Sequence, residues 1–160
     1  MKNVWGYIVL TIVSISSCSN NENSDVGTNN PTTETTAVVS NVSVTGEENN
    51  YTFSVEIKSP DQGCNQYADW WEVISEEGML LYRRILAHSH VNEQPFTRSG
   101  GPINITKDQI VYIRAHMNNK GYGNIVFKGS VSTGFSQETI EITFANELET
   151  AEPLPNGCAF

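Results

Sequence analysis

The chain has 160 residues, with 18 Asp and Glu against nine Lys and Arg, a formal charge of −9. An acidic protein of this kind has no electrostatic footprint for a phosphate backbone, which excludes nucleic acid as the expected partner. It holds no apolar run long enough to span a bilayer as a permanent helix, which takes about 20 residues.

The first element is the stretch MKNVWGYIVLTIVSISSC, in which Lys2 precedes an apolar run from Val4 to Ile15. That run is the length of the hydrophobic region of a secretory signal, which is removed from the mature protein. Ile15, Ser16 and Ser17 then lead into Cys18. An aliphatic residue, two small ones and a cysteine resemble the lipobox of bacterial lipoproteins. The alternative is an ordinary secretory signal in which Cys18 is incidental. The resemblance implies a signal peptide over 1–17, a Cys18 that carries palmitate-type acyl chains, and attachment to the membrane through this N-terminal lipid. A serine after the cysteine, rather than an aspartate, implies passage to the outer membrane of a Gram-negative envelope, on its periplasmic or cell-surface face. Two or more acyl chains hold stably where one does not. Loss of Lys2 with the signal takes the charge from −9 to −10.

Residues 18–36 combine the lipidated Cys18 with SNNENSDVGTNNPTTETT, whose one aliphatic side chain is Val26. Such a segment buries too little apolar surface to offset its ordering entropy and reads as a disordered linker. Residues 37–160 remain for a single domain, large enough to build a core. Within it Cys64 and Cys158 form an even pair in an oxidising compartment and are expected to be bridged. A loop of that length is stabilised by about 4–5 kcal/mol in the chain-entropy treatment.

The domain reads as β throughout. AVVSNVSVTG and YTFSVEIK form an expected hairpin. In the second of these, Tyr51, Phe53, Val55 and Ile57 alternate with Thr52, Ser54, Glu56 and Lys58, the period of a half-buried strand. WWEVIS and MLLYRRIL flank the turn EEG; QIVYIRAHM, IVFKGSV and TIEITFA follow. SHVNEQPFTRSGGP reads as loop. Seven to eight short strands with frequent turn signals predict an antiparallel β-sandwich, Ig-like or fibronectin-like, with a closed β-barrel as the alternative.

Neighbouring strand residues face opposite sides, so Trp70 and Trp71 cannot fill one core. By parity Tyr67, Asp69, Trp71 and Val73 share one side and Ala68, Trp70, Glu72 and Ile74 the other. The outward tryptophan is either a stacking platform for a glycan or protein ligand, or is packed beneath a covering loop.

The three histidines of the chain are His88, His90 and His116. If the strand opening near Met79 runs on through His90, His88 and His90 stand on one face. His116, near the end of QIVYIRAHM, would complete a three-imidazole site for Zn²⁺ or Cu²⁺ if its strand lay alongside. Glu93 and Asp108 are candidate supporting carboxylates, and Met117 faces away. Arg84 and Arg114, at the same parity, would repel a cation. Structural roles for the three imidazoles are the competing expectation. The sequence contains no G-x-S-x-G, H-E-x-x-H or phosphate loop, and Glu76 and Glu77 fall in a turn. The expected function is therefore that of a non-catalytic binding domain on a surface lipoprotein, with a metal-binding lipoprotein as the alternative.

Overall fold

A computed structural model describes residues 35–159. The signal sequence, Cys18 and most of the expected linker lie outside the described residues. Nine strands follow in order: β1 (Val38–Glu47), β2 (Asn50–Lys58), β3 (Ala68–Ser75), β4 (Leu80–Ile85), β5 (Phe96–Ile103), β6 (Val111–Met117), β7 (Gly121–Tyr122), β8 (Ile125–Ser130) and β9 (Gly134–Thr139). One sheet has the order β1-β2-β5. The other has the order β4-β3-β6-β8-β9, with β7 paired to β6. All pairings are antiparallel. Neither sheet closes on itself, so the architecture is a β-sandwich and not a barrel.

The alternation in β2 sets the inner face of the smaller sheet. Tyr51, Phe53, Val55 and Ile57 are buried, while the residues between them are exposed or half-buried. They meet Trp71 and Val73 of β3 and Val111, Ile113, Ala115 and Met117 of β6 in one apolar cluster. Phe53 packs edge-on against Phe135 of β9 at 5.6 Å between centroids.

The expected β1–β2 hairpin is formed, Glu47 pairing with Asn50. The β3–β4 turn also forms, with Gly78 at φ 84°, a conformation that favours glycine, and its amide donating to the Ser75 carbonyl. Two regions differ from expectation. The segment read as loop supplies β5, an edge strand that accommodates Pro102. Its glycines are there for close approach. A Cβ on Gly100 would stand 2.7 Å from the Tyr82 ring and 2.9 Å from that of Trp71, and one on Gly101 would stand 2.7 Å from the Tyr51 carbonyl oxygen. At the other end TIEITFA is not a strand. The chain turns back at once through Gly134, so that Ser130 pairs with Gly134 and β9 ends at Thr139.

β3 is buried along all eight residues because the larger sheet is covered on both faces. The inner face meets the smaller sheet. The outer face lies under a C-terminal strap, residues 141–157, whose Phe144, Ala145, Leu148 and Ala151 pack on Ile74 and Tyr112. Beyond the strap Cys158 is bridged to Cys64, with Cα atoms 5.6 Å apart. Trp71 is 0% and Trp70 3% exposed. Neither is therefore an exposed binding platform, and Trp70 is the one beneath the covering segment. The parity of residues 67–69 is also corrected. β3 carries one extra residue between Ala68, opposite Met117, and Trp70, opposite His116. This bulge at Asp69 turns Ala68 into the core with Trp71.

Candidate functional site

Two polar centres lie on different sides of the larger sheet. The first is under the strap. Glu72 of β3 stands directly opposite Arg83 of β4 and Arg114 of β6, and all three side chains are within 2% of full burial. Arg83 donates to Glu72 Oε2 from Nε at 2.8 Å and from Nη2 at 2.6 Å, and Arg114 Nε donates to Oε1 at 2.8 Å. One carboxylate thus faces two guanidinium groups, and the excess positive charge is met by main-chain oxygens of the strap. Arg83 donates to the carbonyls of Leu148, Ala151 and Pro153, and Arg114 to those of Phe144 and Ala145. The Arg114 guanidinium lies 3.4 Å from the centroid of the Tyr122 ring. Burial pushes the Tyr122 phenol well above its ordinary range, and the Glu72 carboxylate acts in the same direction.

His116 belongs to this centre. Its ring stacks on Trp70 with centroids 3.6 Å apart, and Arg83 covers Trp70 at 4.4 Å. Nδ1 is 2.6 Å from Asp69 Oδ1, and Nε2 is 3.3 Å from Glu149 Oε1 of the strap. The bulge brings Asp69 and Trp70 to the same histidine. The charged groups of this centre are spent on one another and on fastening the strap, while the Trp70 indole N–H is buried without a partner among the described residues.

The second centre is the β4–β5 loop. β4 stops at Ile85, so His88 and His90 stand on this loop and not on a strand face. His116 neighbours Met117, which points into the core, and so faces away from the interior side on which His90 packs. The expected convergence of His88, His90 and His116 is not formed. Among the described residues no group of three or more His, Cys, Asp and Glu side chains is arranged to hold a metal ion. Arg114, expected to oppose a cation, is bound to Glu72, and Arg84 is exposed. Asp108 pairs with Lys107.

The loop is organised by buried Asp61. Its carboxylate accepts from Ser59 Oγ at 2.7 Å, from the Ala68 amide at 3.0 Å and from the His90 amide at 2.7 Å. Gln94 ties the loop back through the Ser59 amide and the His90 carbonyl. The His90 ring lies parallel to Phe96 of β5 at 3.7 Å, with the exposed His88 ring 4.5 Å from it. Both His90 ring nitrogens are buried without a hydrogen-bond partner among the described residues, and Asp61 Oδ2, at 3.9 Å from Nδ1, is beyond hydrogen-bonding range. Burial lowers the His90 pKa, and Arg98 and His88 lower it further against the opposite pull of Asp61 and Glu93. Glu93 is exposed and is held below the usual carboxylate range by a hydrogen bond from Arg98 at 2.8 Å.

His88, Ser89, His90, Val91, Asn92 and Glu93 line a cleft of about 380 Å³, with Gly63 and Ala159 as the other walls. The Gly63 amide donates to Ser89 Oγ, and the Ala159 amide donates to the Ala87 carbonyl. Both wall residues adjoin the Cys64–Cys158 bridge, which therefore frames the cleft.

Reasoning from the sequence missed Glu72, Arg83, Asp69, Asp61 and Glu149. A signal was present for the first two. A single acid in WWEVIS and single buried cations on both neighbouring strands are what a sheet covered on both faces requires. The other three had none, since their partners depend on a bulge, a loop and the strap.

No protein-family model matches the chain, and no solved structure matches it. A protein of the archaeon Halomicrobium mukohataei named "Putative lipoprotein" is 41% identical over 71 residues, which make up 44% of this chain and 35% of that protein. The match thus spans about a third of the relative's length.

Proposed function

We propose that this chain is a lipoprotein of the cell envelope, tethered through Cys18, whose β-sandwich is a non-catalytic binding module that presents the His88–Glu93 cleft to a protein or glycan partner. The anchor is supported by the Ile15-Ser16-Ser17-Cys18 stretch and by the name of the partial relative. Ser19 supports sorting to the outer membrane. The observation that carries the binding half is the contrast between the two polar centres. Under the strap the charged groups are mutually satisfied. Along the cleft, the buried ring nitrogens of His90 have no partner among the described residues, and Val91 is 50% exposed.

The anchor is tested by growth with labelled palmitate. Wild-type protein takes up label and sediments with membranes; Cys18→Ser takes up none and appears in soluble fractions. Labelled Cys18→Ser would overturn the reading. The cleft is tested with a photo-crosslinking residue at Val91 in living cells, compared with one at Ile142 of the strap. Adducts specific to Val91 are expected, and equal yields at both positions would refute the assignment.

A further inference from the structure

The two sheets differ in size, and the difference leaves room for one more strand. We propose that the open edge of β1 takes an extended segment of a partner polypeptide, about five residues long, which pairs antiparallel to β1 and turns alternate apolar side chains toward β8 and β9. This surface is separate from the cleft on the β4–β5 loop, and the inference does not rest on that reading.

The first observation is a gap above the larger sheet. Directly opposed residues of paired strands share a face. Ile113 points into the core, so Phe127 opposite it, and Gln137 opposite Phe127, point the same way. Ile125 and its partner Thr139 do so too. β1 packs across β6 and β8, and it is the last strand of the smaller sheet among the described residues. Ile125 and Phe127 are therefore only half-buried, and Gln137 and Thr139 are exposed although they stand on the inner face. In β9 only Phe135 is half-buried, against Phe53. On β1 the inward Val42 and Val44 are likewise half-buried. A strand laid beside β1 would bury the apolar surface left on Val42, Val44, Phe127 and Phe135, which drives the association.

The second is the character of the edge. Edge strands carry unpaired N–H and C=O groups, and proteins blunt them with charges, proline or bulges. Residues 38–46 of β1 contain no charged residue and no proline. The bulge between Val39 and Asn41 protects only the start of the strand and leaves residues 41–46 as a template. On the other side of the sandwich β4 and β5 lie against each other, with Gly100 beneath the Tyr82 ring.

The third is what fits. Two copies paired antiparallel through β1 would place both larger sheets on the same side of the joined smaller sheets. The β9 that projects beyond β1 in one copy would then occupy the place of β8 in the other. The chain's own residues 19–36 hold one aliphatic side chain, Val26, and cannot supply an apolar alternation. A single strand from another protein meets both limits, bound through its main chain with alternate side chains giving specificity. β1 ends at Glu47, followed by Glu48, so the N-terminal end of an antiparallel partner strand carries a basic residue there.

The test follows amide hydrogen exchange in full-length, lipidated protein in detergent. The probe is a synthetic peptide of about seven residues, a lysine followed by alternating valine and threonine. Before peptide is added, about half of the amides in 41–46 should exchange quickly, because alternate residues of an edge strand face away from their neighbour. Peptide should slow them saturably, with a Kd of about 100 μM or tighter. Of two peptides N-methylated at alternate residues in opposite phase, one should bind and the other should not, because a strand pairs through one of its edges at a time. Gln137→Lys puts a charge into the gap from an exposed position that the fold does not depend on, and should weaken binding about tenfold. Glu47→Lys should weaken it up to about fivefold, with recovery when the peptide's lysine is replaced by glutamate. Unchanged exchange at about 1 mM peptide, equal loss in both methylated phases, or slowing in the β4–β5 loop in place of β1 overturns the proposal. Protection of 41–46 before peptide is added overturns it as well. If that protection falls on dilution the occupant is a second copy, and if it persists the occupant is the chain's own tether.

Discussion

Replacing Glu72 with alanine removes the one carboxylate that two buried guanidinium groups share. Arg83 and Arg114 would keep their strap carbonyls but lose the opposite charge at 2.6–2.8 Å. Breaking a buried pair by deleting one partner costs about 3–5 kcal/mol, because the other charge stays desolvated. No discount for solvent screening applies, since the side chains of Glu72 and Arg83 are 0% exposed and that of Arg114 2%. A slope of about 2 kcal/mol per molar urea turns this cost into a midpoint lower by about 2 M. The loss should persist in about 1 M salt, where screening reaches roughly 3 Å and only exposed pairs are silenced. Glu72→Gln, which keeps the shape and an acceptor oxygen, should fall between the two. Because the strap hangs on the same arginines, proteolysis within 141–157 should quicken in Glu72→Ala before the rest of the domain is cut. A shift within about 0.5 kcal/mol, the size of an ordinary surface substitution, would refute the reasoning. So would a loss that high salt abolishes.

Gly100→Ala should destabilise the domain by about 1–3 kcal/mol, because its Cβ would stand 2.7 Å from Tyr82 and 2.9 Å from Trp71; a thermal melt equal to wild type would show that the two sheets are less tightly packed there. The lowered pKa of His90 has a definite sign. The unfolded chain takes up its proton near pH 6.5 while the folded chain does not, so stability present above that pH is lost as pH falls toward the folded value. Urea midpoints measured against pH should therefore fall below about pH 6.5 in wild type and more weakly in His90→Phe; parallel curves would reject the assignment.

The parts of the fold legible in the sequence are those where one face of a strand is wet. In β2 alternation alone placed Phe53 and Val55 in the core, and Gly78 marked its turn. β5 was hidden because Gly100, Gly101 and Pro102 are turn residues by composition, yet here they let Tyr82, Trp71 and Tyr51 come close. β9 was displaced because its residues GFSQET are largely exposed, whereas the apolar alternation of TIEITFA lies just beyond it, leading into the strap. The histidine reading failed on two local points: β4 ended at Ile85, and the sheet placed His116 on its far face. The bulge at Asp69 adds one residue to a strand and shifts its phase, which no period-two pattern reports.

The arginines grip the strap by its main-chain oxygens, and that fixes what the segment must contain. Carbonyls are supplied by every residue type, so the clamp specifies a path and not a set of side chains. Only the inward positions Ala145 and Leu148 are buried there, while Asn146, Glu147, Glu149, Thr150 and Glu152 face outward. Substitutions at Asn146, Glu147, Thr150 and Glu152 can remodel the exterior of the molecule without disturbing the charges beneath. The outer surface of the strap is therefore free to change its chemistry at almost no cost in folding.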